Sequence, residues 1–136
     1  MKNNKGFTLV ELLVVIAIIG ILASIVFVNV SKTRLKTKDV AIKQSMKLFN
    51  ILAQDYYEKH NENYAGFCND SATEKLFDSL SSPKKFKYCH HDDNNWAVCA
   101  QLNIPEDLSK AWCTDSAGNI KEINQIDCVS SITFCP

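Results

Sequence analysis

The chain is poor in helix breakers where it matters most. No proline occurs before Pro83 and no glycine between Gly20 and Gly66, in a sequence with three prolines and four glycines in all. Almost nothing in the first half can interrupt a helix. Charge is equally scarce at the start, where Glu11 is the sole ionisable side chain within residues 7–30. There is no cysteine before Cys68 and no Cys-x-x-Cys anywhere. The cysteine gaps fit no zinc finger or ribbon, so no metal site is expected. Nucleophile elbow, phosphate loop, His-Glu-x-x-His and paired carboxylates are all missing, which argues against an enzyme and against a cofactor. His90-His91-Asp92-Asp93 is the one cluster with ligand chemistry. Neighbouring residues on a strand face opposite ways, so it reads as a solvated hairpin turn.

What the sequence does hold is Phe7 to Val30, FTLVELLVVIAIIGILASIVFVNV, in which 17 of 24 residues are Val, Ile, Leu or Phe. As a helix it would be roughly 36 Å long, enough for a hydrocarbon core of about 30 Å. The summed apolar transfer outweighs the roughly 2.5–3.5 kcal/mol that a central carboxylate costs. The segment inserts in a bilayer despite Glu11.

Overall charge is zero, but its distribution is uneven. Residues 29–54 carry six basic side chains (Lys32, Arg34, Lys36, Lys38, Lys43, Lys47) against Asp39 alone. From Asp55 onward, 13 acidic residues face 7 basic ones. A solvated basic helix face, touching lipid headgroups or the acidic head of a neighbouring copy, is the favoured reading. A nucleic-acid-binding stripe is the sharper alternative, weakened by the lack of interleaved exposed aromatics. The basic run also conflicts with topology. Lys2 and Lys5 precede the span and four basic residues follow it at 32–38, so the positive-inside rule would place the C-terminal side in the cytoplasm. The cysteines point outside.

Beyond Ser31 an apolar stripe runs through Leu35, Ile42, Met46, Phe49, Ala53 and Tyr56, one face of a helix. One helix over about 7–60 is therefore expected, apolar all round and then amphipathic, with a head docked on its second half. Asn61, Asn63 and Gly66 supply stop signals. Ser71-Ala-Thr-Glu74 reads as a capping box opening a short helix with Leu76, Phe77 and Leu80 inward. After a turn at SSPKK (81–85) come four strand-like runs, 86–89, 96–102, 111–114 and 120–123, joined by DDNN (92–95), IPEDLS (104–109) and DSAGN (115–119). The fold class is α+β, a small antiparallel meander with one face on the helix.

Six cysteines, Cys68, Cys89, Cys99, Cys113, Cys128 and Cys135, fall in a head of 76 residues, too small for a large core. Their even number suggests disulfides and an oxidising, extracytoplasmic location. If Trp96, Val98, Ala100 and Leu102 face the helix, Cys99 points away, and an inward Trp112 turns Cys113 away too. Cys99–Cys113 is then expected, with Cys68–Cys89 and Cys128–Cys135 completing a sequential set. The same parity permits Cys89–Cys99.

KGFTLVELLVVIAIIGILA, residues 5–23, resembles the N-terminal signature of type IV pilins and the pseudopilins of type II secretion. DYYEKHNENYAGFC resembles the exit of pilin helices, and WAVCAQL with AWCTDSAGN is similar to head motifs of small pilin-like proteins. The resemblance implies a leader over residues 1–6, cut by prepilin peptidase after Gly6, and N-methylation of the new terminus Phe7. It implies that Glu11 meets the Phe7 amine of a neighbouring subunit. A transmembrane and filament-core helix (7–30), its amphipathic continuation (31–60) and a Cys-rich head (61–136) follow. Many pilins carry a helix-breaking proline about eight residues past the glycine matching Gly20. Here that position is Val28, which puts local melting of the helix in question.

The function so implied is structural: a subunit held in the inner membrane with its head outside, then polymerised by the assembly machinery into a surface filament. Alternatives are a secretion pseudopilin and a DNA-uptake pilin binding through Lys32–Lys47. A lone carboxylate in hydrocarbon needs a partner, and the Phe7 ammonium provides one. Leaving either member unpaired is costly, which suits setting register.

Overall fold

A computed structural model describes residues 6–82, 86–104 and 109–136, with the side chain of Val28 left aside. Lys2, Lys5, the Pro83–Lys85 part of the expected turn and residues 105–108 of the expected linker lie outside these. The chain divides into two compact units, Met1–Arg34 and Leu35–Pro136. One helix, α1 (Leu9–Lys59), is shared between them.

In the first unit α1 starts at Leu9, two residues later than expected. Thr8 sets that start. The Glu11 N–H donates to Thr8 Oγ1 at 3.2 Å, while the Thr8 N–H donates to Glu11 Oε2 at 2.8 Å. Two orphan donors of the helix terminus are thereby satisfied reciprocally, a capping box that the sequence reading missed. The helix continues through Gly20, where a single glycine costs only about 1 kcal/mol against alanine.

In the second unit the apolar stripe behaves as its spacing demands. Ile42, Met46, Phe49, Ala53 and Tyr56 are buried, and Leu35 is half-buried. The five buried ones meet Trp96, Val98, Ala100 and Leu102 from the sheet, with Phe67 and Leu80. Each fully buried large apolar side chain contributes about 1.5–3 kcal/mol, so this layer is the main source of the head's stability. The helix ends at Lys59, followed by Asn61 and Glu62 with φ of 55° and 58° and Gly66 with φ of 88°. Tyr56 Oη donates to the Ala65 carbonyl, tying the exit back to the helix. The aromatic rings of Phe67 and Trp96 then pack with centroids 5.1 Å apart.

The second helix, α2 (Ser71–Ser79), is capped by Asp70, not Ser71. Asp70 Oδ2 accepts from the Ala72 N–H at 3.0 Å, and its carbonyl accepts from Glu74 N–H at 2.8 Å. Aspartate, one residue upstream, wins the cap because its carboxylate also favours the positive end of the helix. Leu80 is buried and Leu76 and Phe77 are half-buried, as expected. Lys87 Nζ closes the other end, donating to the Phe77 carbonyl at 2.8 Å.

Four antiparallel strands follow in the order β1-β2-β3-β4: β1 (Lys87–His91), β2 (Trp96–Gln101), β3 (Lys110–Asp115) and β4 (Ile120–Asn124). The α+β class and the meander are as the sequence predicts. One difference is at the first hairpin. His90 and His91 belong to β1, and the turn begins at Asp92, whose Oδ1 accepts from the N–H groups of Asn94 and Asn95, both at 2.7 Å. The second difference is larger. The sheet face turned from the helix is also covered, by the segment after β4, which adds a second core of Ala97, Cys99, Ala111, Cys113, Ile123, Cys128, Ile132 and Cys135. Every residue of β2 is consequently buried.

Candidate functional site

The N-terminal segment is unusual for what covers it. Phe7 is 77% exposed, and Leu9, Val10, Leu12, Leu13, Ile16, Ile18, Ile19, Ile21 and Leu22 are all more than half exposed. Among the described residues this is the one helix long and apolar enough to cross a membrane, and none of the described residues buries its apolar window. Such a surface needs a lipid or protein partner. At its head, Gly6 stands outside the helix, and a Cβ added there would have no described atom beyond its chain neighbours within 4 Å.

Glu11 sits one turn into that surface. Its Oε2 takes both the N–H and the hydroxyl of Thr8, each at 2.8 Å. The two bonds converge on one oxygen, which fixes the carboxylate at the terminus. Gly6, Phe7, Thr8 and Glu11 are thus gathered at a single end of the helix. The pattern Thr8-x-x-Glu11 was the signal that could have shown this from the sequence.

The head is held by three disulfides. Cys68–Cys89 forms as expected, with Cα atoms 5.8 Å apart. The other two differ from the sequential set: Cys99 pairs with Cys128 and Cys113 with Cys135. The parity reasoning holds, since Cys99 and Cys113 are directly opposite in register on the face away from α1. Those two strands are already joined by their hydrogen-bond ladder. Each thiol instead reaches the terminal segment lying over it. Loops of 29 and 22 residues replace loops of 14 and 7. By loop-closure entropy the observed pairs stabilise by about 1.7 kcal/mol more than the sequential ones.

Two buried carboxylates complete the frame, and both were overlooked. Asp39, 3% exposed, accepts at Oδ1 from the Asn103 N–H (2.6 Å) and Asn103 Nδ2 (3.0 Å), and at Oδ2 from the Ile104 N–H (3.1 Å). It occupies the unfilled step of the stripe between Leu35 and Ile42, which was the available clue. Asp115, 1% exposed, accepts from the N–H groups of Ala117 and Asn119 and from Asn119 Nδ2 within the β3–β4 turn. It also accepts the Cys135 N–H at 2.8 Å, pinning the terminal segment beside its disulfide.

The basic run is mixed in character. Lys36, Lys38 and Lys47 are exposed, whereas Lys43 is half-buried with its ammonium 4.3 Å above the Trp112 ring. His91 Nδ1 accepts from the Cys68 N–H at 3.4 Å. Burial, and then the neighbouring His90, hold His91 below the ordinary imidazole range, with Asp92 opposing. Among the described residues no three His, Cys, Asp or Glu side chains gather to hold a metal ion.

Comparison with known proteins bears on the same segment. The family model of the prokaryotic N-terminal methylation motif matches residues 1–27. Over 68 residues, half of this chain, it is 39% identical to a type IV major pilin protein PilA of Myxococcus xanthus. Over 64 residues, 47% of the chain, it is 39% identical to PilA4, the type IV wide pilus major component of Thermus thermophilus. The matched stretches span 30% and 48% of those two relatives. No solved structure matches.

Proposed function

With an N-terminal segment of the type IV pilin family, this chain is, we propose, a filament subunit that is cut between Gly6 and Phe7 and polymerises through its apolar helix. The carrying observation is the join of a methylation motif at residues 1–27 to an apolar surface that none of the described residues covers. Before assembly that surface is solvated by the inner membrane, with the leader inside and the disulfide-bonded head outside. After assembly, copies of the same helix cover it. A role as scaffold rather than catalyst follows from this use of the chain.

Each residue at the helix end has a part. Gly6 gives prepilin peptidase an uncrowded approach to the bond it would break. Phe7 then bears a free, N-methylated amine. Glu11 pairs with the Phe7 ammonium of an adjacent copy, while Thr8 holds its Oε2. In a water-free bundle a copy seated at the wrong height leaves both charges unpaired, which costs more than the correct pair contributes. Glu11 thereby selects register. Similarity to two major pilus components supports a surface pilus over a secretion pseudopilin.

The test is intact-mass and N-terminal analysis of the mature chain. A terminus at methylated Phe7 is expected, with Gly6→Leu retaining the leader. A mature chain beginning near Ser24 would refute this reading in favour of an ordinary secretory signal. Glu11→Ala should leave cleavage unchanged while filament yield in sheared surface material drops.

A further inference from the structure

The helix α1 changes sign along the head. Lys36, Lys38 and Lys47 are exposed and have no ion-pair partner among the described residues. At the far end stand Asp55, Glu58 and Glu62, where the nearby Lys59 is already taken by Asp55 at 2.7 Å. Beside this acidic end lies a cleft of 540 Å³ whose walls include Gln54, Tyr57, Glu58, Glu62, Tyr64 and Trp96. Among the described residues no cationic side chain lines it. The rings of Tyr57 and Tyr64 lie 4.8 Å apart, Gln54 Nε2 holds Glu58 Oε1 at 3.4 Å, and the Glu62 carboxylate has no hydrogen-bond partner among the described residues.

Such walls suit an ammonium on an apolar stem. The methylenes pack along the phenol rings while the charge reaches the two carboxylates. The chain itself carries that group in Lys36 and Lys38, but they cannot reach the cleft of their own copy. Lys36 and Glu58 are about 33 Å apart along one helix, at 1.5 Å per residue. Two parallel copies in equal register would set lysines beside lysines and carboxylates beside carboxylates. An axial shift of about 35 Å removes both repulsions and brings the lysines to the cleft.

We infer that the cleft lined by Tyr57, Tyr64, Glu58 and Glu62 is the socket for the Lys36–Lys38 segment of a second copy of this chain. This contact rests on the filament reading and goes beyond it. It fixes a long axial offset between heads, distinct from the short one that Glu11 and Phe7 would set between helix ends. A helical filament gives every copy several neighbours, so both offsets coexist. The charges are exposed, so the contact also makes the filament sensitive to salt.

Carbodiimide treatment of full-length filaments tests it, because the reagent joins a carboxylate to an amine in direct contact. Peptide mapping should find Glu58 or Glu62 amide-linked to Lys36 or Lys38. The intrachain separation makes any such link intermolecular. Glu58→Lys with Glu62→Lys should lower filament yield about tenfold, and adding Lys36→Glu with Lys38→Glu should restore it to within about twofold. Filaments that form normally with the cleft reversed, or links from Glu58 and Glu62 only to other lysines, would overturn the socket while leaving the filament reading intact. Wild-type chain that makes no filament under any condition would remove both.

Discussion

Replacing Asp39 offers the sharpest check on how the head is built. By pattern the position belongs to an apolar stripe, so a leucine there would complete it. By structure it clamps the segment after β2, through two backbone N–H groups and one amide. Removing the carboxylate as Asp39→Ala strands two N–H donors at a part-buried site. At the low end of the range for bonds to a charged group, about 1.5 kcal/mol each, the loss is about 3 kcal/mol. Asp39→Asn keeps the oxygen facing Asn103 but turns an amide N–H against that of Ile104, and should cost about half as much. Asp39→Leu should be at least as damaging as alanine. Urea unfolding of the oxidised full-length chain in detergent reads this directly, since both tryptophans lie in the sheet. With a slope near 1.5–2 kcal/mol per molar, Asp39→Ala should move the midpoint by about 1.5–2 M. A leucine variant as stable as the parent would show the clamp to be idle and refute the reasoning.

Other expectations are more local. His91 titrates below its unfolded value, near 6.5. The unfolded chain then takes up the proton first as pH falls, so stability is full above about 6.5 and declines toward the lower folded value. His91→Gln should flatten that decline, seen as a smaller drop in urea midpoint between pH 7.5 and 5.5. Gly66→Ala would require a side chain at φ of 88° and would bring its Cβ within 2.9 Å of Tyr56 Oη. A loss of about 1–3 kcal/mol in the same unfolding assay is expected. Thr8→Val removes the cap from Glu11, so amide exchange at Glu11 and Leu12 should quicken in micelles while Ile16 onward is unaffected.

How far the sequence could be read depended on whether a feature was local or periodic. The stripe from Ile42 to Tyr56 needs only helical spacing to declare itself, and it packs as written. The strands around Trp96 and Trp112 were legible for the same reason, as alternation fixes which face is apolar. Gly6, Phe7 and Glu11 formed a recognisable motif because their neighbours are almost uniformly apolar. The disulfides were less accessible. Parity placed Cys99 and Cys113 on the right face, but their partners depend on a terminal segment with no regular period. Asp39 and Asp115 were hidden by the habit of reading carboxylates as surface residues. Their donors are backbone N–H groups, which every residue but proline supplies and no side-chain pattern advertises.

The crossed bridges bear on how the head matures. The hairpin of β2 and β3 is local and forms on its own timescale of microseconds, far ahead of any oxidation. It sets Cys99 opposite Cys113 before the segment bearing Cys128 and Cys135 has settled over them. The first bridge to close on that face should therefore be the wrong one. Reaching the final state then requires the Cys128 thiolate to attack Cys99, freeing Cys113 for a second oxidation with Cys135. Until that exchange occurs, the apolar residues of the second core stay open to water. Oxidative refolding of the chain should accordingly quicken when a thiol that permits exchange is present, and without one it should accumulate heads locked at Cys99–Cys113.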